Sequence, residues 1–354
     1  IWSVGRALAF LALTPGGSMV EKLAESSALT LVGDSKIALV FPGQGSQYVG
    51  MGQPLYERYS VARDVFHEAD ETLGFALSRL CFEGPADELE DTINAQPAIL
   101  TVSVAALAVL RERFEAVGAK FSPTYVAGHS LGEFTALVAA GVLEFKDALQ
   151  LVRERGRLMK EAGLEMPGGM AAVVGLDREK LAEVCLAASS EGGIVVVAND
   201  NCPGQTVISG ENAALERAMT MAITEGARRV VRLGISIASH SPLMERAGSQ
   251  LNDLVARIHF HEPVIPVVTN ITGQVSTSVD ELRRNVGEHV VRPVQWTNSV
   301  VAMVDSGVNT FLEIGPGEVL SGLIRRVKRD VRTLSIKDID LSGTSGVSEE
   351  RSNQ

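Results

Sequence analysis

Residues 124–127 form a short apolar stretch that runs directly into Gly128-His129-Ser130-Leu131-Gly132 and then into an Ala-rich helical stretch ending at Ala140. A strand that turns sharply into a helix satisfies this pattern. The crowded backbone of such a turn requires small residues on both sides of the serine. The same rhythm appears elsewhere. Residues 37–41 (IALVF) read as a buried strand ended by Pro42-Gly43. Residues 98–115 read as a helix stopped by Gly118, and residues 146–162 as a helix ending at Gly163. Strand, helix, strand, helix in succession predicts a parallel α/β sheet.

The rhythm changes at Met166-Pro167-Gly168-Gly169. A strand at 170–174, a helix at 178–188, strands at 194–198 and 206–209, a helix at 211–224 and a strand at 227–233 follow in order. That β-α-β-β-α-β order predicts a small ferredoxin-like domain inserted in the larger one. The large pattern resumes with a helix after Pro242, strands at 265–269 and 310–314, and a helix after Gly317. The expected organisation is an N-terminal extension over 1–36, with 1–18 set aside as upstream sequence. A large α/β-hydrolase-like catalytic domain takes 37–165 and 236–336, the small domain 166–235, and a polar, disordered tail 337–354. A length of 354 residues fits one large unit plus a smaller one.

A formal net charge of −11 argues against a nucleic-acid binder and against contact with an anionic membrane. Cys81, Cys185 and Cys202 are sparse, odd in number and not spaced as metal ligands, which suggests reduced thiols and a cytoplasmic setting.

A G-x-S-x-G sequence between a strand and a helix exposes the Ser130 hydroxyl and aims the helix N-terminus at a reacting carbonyl. The alternative is an ordinary turn with a helix-capping serine. A nucleophilic serine needs a base. Of six histidines, His129 adjoins the nucleophile, so its side chain should point elsewhere. His259 and His261 bracket Phe260 at what resembles a strand edge, and His67 and His289 lie on polar helical stretches expected at the surface. His240, in Ala238-Ser239-His240-Ser241-Pro242, stands at the junction of the two domains, where a cleft would form. The loop Phe41-Pro42-Gly43-Gln44-Gly45-Ser46-Gln47 follows the first strand, and its glycines let the backbone approach a ligand closely. It lacks the Lys-Ser or Lys-Thr pair of a phosphate cradle.

These two motifs occur in order with Arg155-Gly156 and Met159, Ser239-His240-Ser241, Pro293-Val294-Gln295-Trp296 and Glu313-Ile314-Gly315-Pro316-Gly317. Over about residues 37–336, the set resembles the malonyl-CoA:acyl carrier protein transacylase family, which shares its fold with polyketide-synthase acyltransferase domains. The resemblance implies transfer of malonyl from malonyl-CoA to acyl carrier protein through a malonyl-serine, in support of fatty-acid synthesis. Ser130 would be the nucleophile and His240 the base. Backbone N–H groups of Gln44 and Leu131 would form the oxyanion hole. The backbone carbonyl of Gln295 would orient His240 in place of a triad carboxylate. Arg155 would bind the malonyl carboxylate, with Met159 one turn away on the same helix face. No cofactor is implied. The partners are malonyl-CoA and acyl carrier protein, and a monomer is expected. The exposed-looking basic groups Arg228, Arg229, Arg232, Arg325, Arg326, Lys328 and Arg329 are candidates for docking an acidic carrier protein. Competing readings are a polyketide acyltransferase and a serine thioesterase or other hydrolase; the latter has no need of Arg155 and usually carries a triad carboxylate.

Overall fold

The computed structural model describes residues 36–116 and 118–338. The expected N-terminal extension, except Lys36, and the expected tail beyond Asp338 lie outside the described residues. Lys337 and Asp338 close a 3-10 turn, Ile336–Asp338, so regular structure continues just past the expected boundary.

Two sheets organise the described chain. Strand β1 (Ile37–Phe41) is buried along its whole length, which explains its unbroken apolar run. Helices α1 (Gln53–Arg58), α2 (Ser60–Leu73), α3 (Leu77–Glu83) and α4 (Ala86–Glu90) lead to the long helix α5 (Thr92–Ala116). Helix α5 starts six residues before the apolar run suggests, and Pro97 falls within its second turn. It is apolar and long enough to cross a membrane by composition, but 83% of its most apolar window is buried in the protein, where it serves as a core helix.

Strand β2 (Tyr125–Gly128) then delivers the serine turn to helix α6 (Gly132–Ala139), and α7 (Phe145–Glu165) packs on α5. Next come β3 (Gly168–Val174), α8 (Arg178–Ser190), β4 (Val195–Cys202), β5 (Gln205–Glu211), α9 (Asn212–Thr224) and β6 (Arg229–Arg232). The chain continues with α10 (Glu245–Val255), β7 (Val267–Val268), β8 (Val275–Ser276), α11 (Val279–Glu288) and β9 (Val294–Gln295). It finishes with α12 (Trp296–Asp305), β10 (Thr310–Glu313), α13 (Val319–Val327) and β11 (Arg332–Ser335).

The large sheet has the order β11-β10-β1-β2-β7-β8. Every pairing from β11 to β7 is parallel, as predicted, and β8 closes the edge antiparallel. The second sheet has the order β6-β3-β5-β4-β9. Its strands alternate their faces with period two. Ala171, Val173 and Ile208 pack under α8 and α9. Met170 and Val207 point to the opposite side, toward a cleft between the sheets. Strand β9, which comes from the later part of the chain, pairs parallel with β4 through Asn199↔Val294 and Asp200↔Gln295. The smaller sheet is thereby joined to the larger layer through a strand outside residues 166–235.

Candidate active site

The site is built where β1 and β2 end side by side. In β2 the chain reverses into α6 so tightly that a Cβ on Gly128 would lie 1.9 Å from the backbone of Gly132. A Cβ on Gly132 would lie 2.0 Å from the carbonyl oxygen of Phe41. Both positions therefore exclude any side chain, which accounts for the G-x-S-x-G spacing. Ser130 itself sits at φ 48°, a left-handed conformation that costs a serine about 1–3 kcal/mol and must be held by its surroundings. Asn270, just past β7, holds it. Its Oδ1 accepts from the Ser130 N–H at 2.6 Å, and its Nδ2 donates to the Gly128 carbonyl at 2.5 Å.

His240 approaches from the loop before α10. It too has positive φ, 58°, with its N–H donating to the Val290 carbonyl at 2.8 Å. Its Nε2 lies 2.9 Å from Ser130 Oγ. Its Nδ1 lies 3.0 Å from each of two carbonyl oxygens, those of His289 and Arg292. Carbonyls only accept, so Nδ1 carries the proton and Nε2 presents its lone pair to the serine. This corrects the expectation for Gln295. The Gln295 carbonyl instead accepts from Ser299 Oγ at 3.1 Å, while its N–H donates to the Asn270 carbonyl. The orienting carbonyls lie at and just past the C-terminus of α11, where helix carbonyls lack intrahelical partners.

Arg155, on α7, is 2% exposed and not the surface group its charged neighbours Arg153 and Glu154 would suggest. Its Nη1 donates to Gln96 Oε1 at 2.6 Å, and its Nη2 lies 3.3 Å from Ser130 Oγ and 3.3 Å from His289 Nδ1. Its Nε has no partner among the described residues. Gly156 makes this reach possible, because a Cβ there would meet the Thr92 carbonyl at 2.6 Å and hold α7 away from α5. Met159, one turn on, is buried beside Gln96, whose Nε2 lies 3.5 Å from the thioether sulfur. Behind Arg155, Glu133 is fully buried on the first turn of α6, with Oε2 accepting from the Asn270 N–H at 2.8 Å.

Burial raises the Glu133 carboxyl to about 8, against the pull of the Asn270 N–H and of Arg155. Burial lowers Arg155 to about 10, opposed by Glu133, so the guanidinium is still the cation at neutral pH. Burial, together with the neighbouring His289 and Arg155, holds His240 well below the ordinary 6.5, so it is a neutral base.

A cleft of about 510 Å³ opens onto Ser130 and is lined by Gln44, Arg155, Met159, Asn201, Gln205 and His240, among others. Six of the seven residues singled out from the sequence thus have clear places. Ser130, His240, Arg155, Met159 and Gln44 line the cleft, and Leu131 is buried at the head of α6. Gln295 lies outside its expected role. His129 packs edge-on to Trp296 and its Nε2 bonds Asn201 Oδ1 at 2.7 Å, which fits the expectation that it points away from the serine's chemistry. His289 is 1% exposed, contrary to the surface position expected for it, whereas His67 is exposed. Sequence reasoning missed Asn270, Gln96, His289 and the burial of Glu133. For Glu133 a signal existed: a carboxylate three residues past the nucleophile on an otherwise apolar helix.

A neutral histidine on a strained serine, with a buried guanidinium beside the same hydroxyl, is the arrangement of an enzyme that forms an acyl-serine. The chain belongs to the acyl transferase domain family, whose profile matches residues 38–344. It is 45% identical over 304 residues to the malonyl CoA-acyl carrier protein transacylase of Bacillus subtilis, covering 86% of this chain and 94% of that protein. It also resembles the crystal structure of an acyl carrier protein S-malonyltransferase from Vibrio cholerae. That match has TM-score 0.80 and 40% identity over 85% of this chain and 96% of the other. A malonyl-transacylase solved in complex with its type II PKS acyl-carrier protein matches with TM-score 0.81 and 40% identity, again over 85% and 96% of the two chains.

Proposed function

We infer that this protein transfers malonyl from malonyl-CoA to the phosphopantetheine thiol of acyl carrier protein, supplying fatty-acid synthesis. The observation that carries this reading is Arg155 Nη2 standing 3.3 Å from the Ser130 hydroxyl, inside a buried pocket. A guanidinium there rewards a carboxylate on the acyl group held at that serine.

The reaction proceeds in two balanced halves. His240 Nε2 takes the Ser130 proton as Oγ attacks the thioester carbonyl. The N–H groups of Leu131 and Gln44 stabilise the oxyanion, helped by the N-terminus of α6. The C–S bond breaks, and the coenzyme A thiolate leaves with the proton from His240. In the second half the carrier thiol gives its proton to His240 and attacks the malonyl-serine ester. Ser130 Oγ departs and recovers that proton. The exchange of a thioester for an ester and back is redox-neutral and calls for no resident cofactor.

The strand order β6-β3-β5-β4 supports reading residues 166–235 as a ferredoxin-like domain. It forms one wall of the cleft against an α/β-hydrolase-like domain of 37–165 and 236–336. Exposed Arg326 bonds the cleft residue Gln205, which puts one of the candidate basic groups at the cleft, where an acidic carrier protein would dock. We take the protein to act as a cytoplasmic monomer.

Intact-mass measurement after mixing with malonyl-CoA tests the reading. A malonyl adduct on Ser130 that persists in water and is discharged by holo acyl carrier protein is expected. An adduct lost to water at the same rate with or without carrier protein would mark a hydrolase instead.

A further inference from the structure

His289 touches both halves of the site. Its backbone carbonyl accepts from His240, and its side chain faces Arg155. Arg155 can only donate, so His289 Nδ1, 3.3 Å from Arg155 Nη2, must carry a lone pair. The imidazole proton then sits on Nε2, which lies 3.5 Å from Glu133 Oε2. That oxygen belongs to a fully buried carboxyl fixed by the Asn270 N–H, and Nε2 faces it without a hydrogen bond and has no other partner among the described residues. Phe134 closes the arrangement, with its ring edge-on to His289 and the guanidinium 5.6 Å from its centroid. Burial and the Arg155 charge keep His289 neutral, as this tautomer requires.

We propose that the His289 side chain is a positioning residue for substrate selection: its Nδ1 holds the Arg155 guanidinium in the orientation that receives the acyl carboxylate. Gln96 anchors the opposite nitrogen, Nη1, so the two neutral acceptors fix the guanidinium from both sides. Neither competes with the substrate as a carboxylate would, because neither forms an ion pair with it. This proposal rests on the malonyl-transfer reading of the same pocket.

The test compares kcat/KM for malonyl-CoA and acetyl-CoA in the wild type, His289→Leu and His289→Asn. Both variants keep the backbone carbonyl that orients His240. Leucine removes the acceptor and keeps the bulk, while asparagine places an amide oxygen close to the position of Nδ1. Hydrogen bonds to charged groups support an effect of about 10-fold or more. His289→Leu is therefore expected to lower the malonyl-to-acetyl ratio about 10-fold, mainly through the KM for malonyl-CoA. His289→Asn should recover most of the ratio. The ratio within one preparation does not depend on the folded fraction, since both substrates meet the same enzyme. Equal losses for both substrates, or equal ratios in the Leu and Asn variants, would overturn the positioning role and leave the malonyl reading intact. A wild type that fails to use malonyl-CoA would overturn both.

Discussion

Malonyl and acetyl differ by one carboxylate, so replacing Arg155 perturbs the contact that separates them. On a protein surface such a pair would be worth at most about 1 kcal/mol. Here the guanidinium is 2% exposed and its Nε has no partner among the described residues, so solvent screens its charge far less than at a surface. Losing one partner of such a buried charged pair costs about 2–5 kcal/mol. At about 1.4 kcal/mol per tenfold, that is roughly 30-fold to a few thousand-fold in kcat/KM for malonyl-CoA. Arg155 Nη2 also lies 3.3 Å from Ser130 Oγ, so Arg155→Ala will disturb the nucleophile itself. Acetyl-CoA controls for that disturbance, because it uses the same serine and makes no carboxylate contact. The assay is kcat/KM for both thioesters in the wild type, Arg155→Ala and Arg155→Lys. The alanine variant should shift preference toward acetyl by the stated factor. The lysine variant should recover only part of it, since an ammonium cannot offer two parallel hydrogen bonds. A malonyl-to-acetyl ratio unchanged in Arg155→Ala would refute the role of the buried guanidinium.

Ser130→Ala should abolish the acyl-enzyme seen by intact mass, and His240→Ala should be nearly as damaging. The double variant should be no worse than the worse single one, because the pair acts as a unit; additive losses would separate the two roles. The pH dependence of kcat/KM should follow His240, which must be neutral to accept the serine proton. Because its proton affinity is held well below 6.5, the rate should stay level as pH falls through 6.5 and decline only below it. In Arg155→Ala one neighbouring positive charge is gone, so that acid limb should move to higher pH; a limb at or above 6.5 in the wild type would contradict the burial argument.

Strong periodicity made the parallel core legible. β1 and β2 are short unbroken apolar runs that end at or close to a glycine, and α7 carries a long amphipathic pattern that runs two residues past Gly163. The smaller sheet was legible for a different reason: its six elements follow one another closely in a recognisable order. The two-residue strands β7, β8 and β9 are too short to show a period, and their pairing is set by tertiary contact. The join between β4 and β9 is an example. It brings Val294 and Gln295 beside Asn199 and Asp200, far away in sequence, and Thr297 Oγ1 fastens it to Asp200 Oδ1 at 2.8 Å. The surface reading of His289 failed for a related cause. A polar helix end can be buried when a charged partner, here Arg155, meets it from another element.

The group that orients His240 was the least legible part of the site. Any residue can supply a backbone carbonyl, so no side chain marks its position. Pro293-Val294-Gln295-Trp296 stands out in the sequence because it builds β9 and buries Trp296 completely, which are packing duties. The carbonyls that serve His240 come from His289 and Arg292, where α11 has ended and its last carbonyls need donors. The two reacting groups therefore sit at opposite kinds of helix terminus. Ser130 precedes the N-terminus of α6, where developing negative charge on the substrate is favoured. His240 meets the C-terminal end of α11, where the partial negative charge of free carbonyls favours a transient imidazolium. A triad carboxylate would bring a full negative charge and raise the proton affinity of the base. Carbonyls fix the tautomer with much less of that effect, so His240 can be buried beside Arg155 and still be neutral when the thioester arrives.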